Sequence, residues 1–147
     1  MAGLPDDIAA LFDGANLEEK FGLAYELVTV DGTGRPRVAM LSHGEILAVD
    51  GELRLALWPG STTSANLADG RPYLLSVVQP GSVQYLLGTA ERLPGDAPLA
   101  CFSLTVDEVR EDQHAGYPVK APITYEGRRS LDETLSDWRT QHDMLRT

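Results

Sequence analysis

Two short apolar arms, Ile46 to Val49 and Leu53 to Trp58, face each other across Asp50-Gly51. Asp-Gly between such arms demands a β-hairpin, because a type I′ turn needs positive φ at both central positions. In the second arm Leu53, Leu55 and Leu57 alternate with Glu52, Arg54 and Ala56, so one face is buried and the other is not. Further turn signals recur at short intervals: Asp31-Gly32-Thr33-Gly34, Pro59-Gly60, Pro80-Gly81 and Pro94-Gly95-Asp96. A chain punctuated this often cannot hold the long crossovers of a parallel sheet; it predicts antiparallel β structure.

Between the turns lie segments rich in strand formers: Leu23 to Val30, Arg37 to Ser42, Tyr73 to Val78, Val83 to Leu93 and Leu99 to Val109. Three segments read as helix. Pro5 to Phe12 carries Asp6 and Asp7 at its positive end. Ser61 to Asp69 follows a Pro-Gly break and stops at Gly70. Leu131 to Leu145 opens on a Ser130/Glu133 capping box and places Leu131, Leu135, Trp138 and His142 on one side. Asp112 to Tyr125 reads as irregular. The element order suggests a mostly β (α+β) barrel or sandwich with short flanking helices and a C-terminal helix.

The 147 residues fit one domain spanning 1–147, large enough for a core without disulfide or metal support. The formal net charge of −10 argues against nucleic acid and anionic membrane surfaces as partners. The single cysteine, Cys101, excludes an intramolecular disulfide and fits a cytoplasmic location. Met1 to Asp13 is acidic and lacks the basic and long apolar regions of a secretory signal.

Few residues advertise chemistry. Ser61-Thr62-Thr63-Ser64 follows a glycine, and such a turn can cradle a phosphate with hydroxyls and free N–H groups, or simply cap the helix. Trp58 and Tyr85 can stack on a planar ring or serve as core or dimer contacts. His43, His114 and His142 are scattered, with no metal-ligand spacing. His43 is expected to be a partly exposed polar residue. Cys101 sits in an apolar strand and is expected to be buried and inert. No G-x-S-x-G elbow occurs.

Three pieces of the chain resemble the pyridoxamine 5′-phosphate oxidase-like, FMN-binding split barrels. They are Arg37-Val38-Ala39-Met40-Leu41-Ser42, a strand opened by Arg; Leu55 to Leu67, a strand, tight turn and short helix; and Val83 to Glu91, a strand in which Gly88 is followed by a small residue and an acid. The resemblance runs from about Leu23 to Leu93. It implies a six- to seven-stranded antiparallel split β-barrel, a homodimer with FMN at the subunit interface, and a small-molecule substrate. It further implies a cofactor site drawn from Arg37, Val38, Ala39, Met40, Leu41 and Ser42 in the first piece, Trp58, Ser61, Thr62, Thr63 and Asn66 in the second, and Gln84 in the third. Catalytic side chains are not implied, because a flavin carries the electron or hydride transfer itself. In one respect the chain departs from the family: Thr62-Thr63 stand where characterised oxidases place Arg-Lys. That removes charge-assisted bonds worth about twice a neutral one, and it leaves F420, haem or a cofactor-free dimer as alternatives to an FMN oxidoreductase.

Overall fold

The computed structural model describes residues 2–112 and 116–147. In chain order it comprises α1 (Asp6–Leu11), β1 (Leu23–Val30), β2 (Pro36–Leu41), β3 (Ile46–Val49), β4 (Glu52–Leu57), α2 (Thr62–Ala68), β5 (Tyr73–Gln79), β6 (Ser82–Arg92), β7 (Ala100–Asp112), β8 (Ile123–Thr124) and α3 (Leu131–Arg146). The strands form one curled antiparallel sheet in the order β2-β1-β5-β6-β7-β4-β3, with β8 paired to the start of β1. The turn pattern predicts the mostly β antiparallel character, and the resemblance predicts the split barrel; both are present.

The Asp50-Gly51 hairpin is present. Asp50 and Gly51 both have positive φ, 50° and 80°, and Val49 pairs with Glu52. Two departures concern extent. β7 runs on to Asp112 because β6 continues beside it, pairing Val83 with Asp112. β8 forms within the segment expected to be irregular, where β1 offers Leu23 and Ala24 as partners.

Alternate residues of the strands fill the barrel. Leu27, Leu53, Leu55, Leu75, Leu86 and Phe102 are fully buried there, with Ile8 and Phe12 of the first helical segment. At Gly88 the β6–β7 register shifts, and a Cβ added there would lie 1.8 Å from the Thr105 carbonyl oxygen. Only glycine fits that bulge.

α3 covers part of the sheet's outside. Leu145 packs with Leu47, Ala56 and Cys101, while Leu135 and Trp138 pack with Leu17. Ala56 is therefore buried although it alternates with the core leucines; a second layer lies over that face. Leu131 remains 40% exposed, so the helix's apolar stripe begins at Leu135 rather than at Leu131. Cys101 is buried, and desolvation pushes its thiol pKa up, as expected of an inert thiol. No described helix is long and apolar enough to cross a membrane.

Candidate functional site

β2 is an edge strand, so one side of its main chain is unpaired by the sheet. Its residues divide by face. Arg37, Ala39 and Leu41 stand opposite Thr29, Leu27 and Tyr25, which point inward. Val38 and Met40 point outward and are about half exposed, at 53% and 52%. Leu41 is sealed in the core, so it can meet a ligand only through its main chain. Arg37 is exposed at the strand's head.

α2 closes the same end of the barrel. Asn66 donates from Nδ2 to Thr29 Oγ1 at 3.1 Å, and Thr29 is the register partner of Arg37. Arg37 and α2 are thereby brought together, as the resemblance implies for a phosphate site. The hydroxyls at the start of α2 are mostly committed. Ser61 Oγ accepts from Ser64 N at 3.1 Å, and the Ser61 and Ser64 hydroxyls lie 3.0 Å and 2.6 Å from the Trp58 carbonyl oxygen. Thr63 is buried, whereas Thr62 is exposed. The N–H groups of Thr62 and Thr63 belong to the first turn and have no intrahelical partner. The donors on offer to an anion are thus Thr62, two backbone amides and Arg37. This set fits a phosphate, but without a basic residue on α2 itself.

Gln84 is placed elsewhere. It pairs with Val77, four residues along β5 from the Tyr73–Gly88 pair, roughly 13 Å of strand. Buried there, it donates from Nε2 to Asp7 Oδ2 at 2.6 Å and anchors α1. Trp58 is 76% exposed just beyond the end of β4, not a core residue. Tyr85 lies on the sheet's outer face, opposite Ser76 and Arg110.

The β2–β3 connection holds a cluster that the sequence did not reveal. Ser42 to Glu45 is a turn, with Glu45 N donating to the Ser42 carbonyl at 3.2 Å. Ser42 donates from its amide and its hydroxyl to Glu45 Oε1, at 3.0 Å and 2.9 Å. Burial pushes the Glu45 carboxyl pKa up, against those hydrogen bonds. Inside the turn His43 is only 1% exposed, which corrects the expectation of a partly exposed residue. It is drawn in by the Tyr25 hydroxyl, 2.8 Å from its Nε2, and by packing on the Phe12 and Tyr25 rings. Desolvation pushes its pKa down to about 3 and that of Tyr25 up to about 12. A neutral imidazole and a neutral phenol therefore share this hydrogen bond, its direction set by the tautomer of the ring. His142 of α3 donates from Nε2 to the His43 carbonyl at 2.7 Å. Trp138 of α3 covers Gly44, where a Cβ would fall 2.0 Å from Trp138 Cδ1. His-Gly after a strand is a turn signal, but nothing in it points to a helix ninety residues away. His114 lies outside the described residues. Among the described residues no group of His, Cys, Asp and Glu could hold a metal.

No protein-family model matches this chain. The chain is 30% identical to the uncharacterized protein YclD of Bacillus subtilis over 149 residues, covering 97% of this chain and 96% of YclD. Several solved structures share the fold. A protein from Lactobacillus delbrueckii, named as a candidate pyridoxamine 5′-phosphate oxidase, superposes with a TM-score of 0.55 at 20% identity, over 74% of this chain and 93% of that one. HupZ of Group A Streptococcus gives 0.57 at 15% identity, over 80% and 98%. A heme binding protein of Mycobacterium smegmatis gives 0.54 at 16%, over 82% of this chain and 60% of that one. The chain thus belongs to one family with YclD, built on the split-barrel fold of the pyridoxamine 5′-phosphate oxidase-like proteins.

Proposed function

We propose that the protein is a homodimeric, FMN-binding oxidoreductase acting on a small-molecule substrate. The observation that carries this is the meeting of Arg37, the unpaired edge of β2 and the start of α2 at one end of the barrel. Arg37, Thr62 and the first amides of α2 would hold the phosphate. The main chain of Val38 to Ser42 would align the ring's polar edge, and Trp58 would shield it from water. When bound, FMN supplies the hydride or electron transfer. The proposed dimer face is the outside of β2, β1, β5 and β6. Register places Val38, Val28, Leu74 and Leu87 in one row across it, and Met40, Glu26, Ser76 and Tyr85 in the next. An apolar sheet face of this kind is stabilised by a second copy.

Titration of the refolded protein with FMN, followed by flavin fluorescence, tests the proposal. Saturable quenching at about one FMN per chain with micromolar or tighter affinity supports it. Thr62→Glu should abolish binding with the fold intact, and riboflavin should bind much more weakly than FMN. Equal affinity for the two would sink the phosphate assignment. A second reading, a split-barrel dimer that has exchanged FMN for F420, haem or no cofactor, is favoured by Thr62-Thr63 and by the committed Ser61 and Ser64 hydroxyls. A protein that rejects FMN, whether colourless or carrying another chromophore, would favour it over the first.

A further inference from the structure

A cleft of about 500 Å³ opens between α3 and the outer face of β4 and meets the start of α2 at Trp58. Its apolar wall is Ala56, Leu99 and Met144, and Trp58 stands at its rim. Its polar groups are Glu45 and, from α3, Gln141, Thr140 and Asp137, with Arg129 beside them. Arg129 is already engaged, donating to Asp137 and to Glu133. The Thr140 hydroxyl donates to the Ser136 carbonyl of its own helix. Two acceptors stand out among the groups that remain. Both Ser42 hydrogen bonds to Glu45 fall on Oε1, leaving Oε2. Gln141 Oε1 is shielded from water with no hydrogen-bond partner, and a buried acceptor left so is costly. Rotating the amide would turn it toward a donor in the cleft. The charges lining the cleft are two carboxylates against one guanidinium.

The geometry points to a binding site for a small, flat organic cation rich in N–H donors, an amine or amidine, held by Glu45 and Gln141 with its face against Trp58. Each contact has its own reason. A cation beside the half-buried Glu45 carboxylate makes a charge-assisted hydrogen bond in a setting poorer in water than the surface. Its N–H groups satisfy the lone acceptor of Gln141. The indole of Trp58, 76% exposed at the rim, can lie over the ligand and offers the strongest cation–π face among side chains. An anion of the same shape meets Glu45 and Asp137 and is repelled. The site needs no flavin, so the fate of the cofactor proposal leaves it standing.

Isothermal titration of the flavin-free full chain with benzamidinium at neutral pH tests it, with benzoate and benzyl alcohol as an anionic and a neutral probe of similar shape. One saturable benzamidinium site per chain, with a Kd below about 1 mM, is expected. Benzoate and benzyl alcohol should bind at least about tenfold more weakly. Glu45→Gln, which still accepts from Ser42, should weaken benzamidinium about tenfold or more. Trp58→Ala, a change at an exposed side chain that leaves folding intact, should weaken it roughly three- to tenfold. Absence of saturable binding, benzoate or benzyl alcohol binding as tightly as benzamidinium, or unchanged affinity in a folded Glu45→Gln protein would each overturn the proposal. Were Glu45→Gln not to fold, unchanged affinity in Trp58→Ala would do so.

Discussion

Acidification should destabilise this protein through His43 well before its carboxylates are protonated. The ring is 1% exposed and faces the Tyr25 hydroxyl at 2.8 Å. Tyr25, pushed up to about 12, keeps its proton, so it offers a protonated His43 no negative charge, only a neutral oxygen; the imidazolium would be buried without a counter-ion. The folded pKa of about 3 lies below the unfolded value of 6.5. The unfolded state therefore binds the proton more readily, and the contribution of neutral His43 is present above about pH 6.5 and lost as pH falls toward 3. Integrating from about pH 7.5 to about pH 5 gives a loss of about 2 kcal/mol. His142, also lowered chiefly by burial, acts in the same direction. Glu45, raised by burial, opposes it, but only as pH nears the carboxylate range. The exposed Asp13 and Asp31, both lowered, act below their ordinary value of 3.8 and so outside this window. Urea unfolding at fixed protein concentration, at both pH values, should show wild type losing about 2 kcal/mol more than His43→Gln. Parallel losses in the two proteins would refute the reasoning. So would an NMR titration placing the native His43 midpoint near 6.5, a measurement that needs no variant.

The remaining expectations are steric and associative. Gly44→Ala places a methyl in the Trp138 ring and should cost about 1–3 kcal/mol, read as a lower thermal midpoint; a change under about 0.5 kcal/mol would mean that α3 does not rest on the turn. Light scattering at micromolar concentration should give twice 15.9 kDa, and Val38→Glu should return the protein to the mass of one chain. A wild-type protein that is a stable monomer would remove the interface site.

Strand positions were legible in the sequence because they depend on local chemistry. Asp50-Gly51 fixes a hairpin wherever it is placed, and Leu53, Leu55 and Leu57 choose their face by period two alone. Ser61 and Ser130 cap their helices by bonds spanning three residues, so both helix starts could be read directly. The three family-like pieces are likewise contiguous, so each could be recognised by itself, and the resemblance alone linked Arg37 with Thr62. The burial of His43 could not be read in this way. It depends on Tyr25, eighteen residues upstream, and on His142, ninety-nine residues downstream. Ala56 looked like a solvent position until α3 proved to lie over it. Gln84 sat in the right strand for a cofactor contact, yet its carboxamide is held by Asp7, seventy-seven residues away. Turns, caps and alternation act over a few bonds and are written locally. Which polar side chains are buried, and which are left facing a cleft, is decided by distant elements packing together, and only the tertiary structure contains that information.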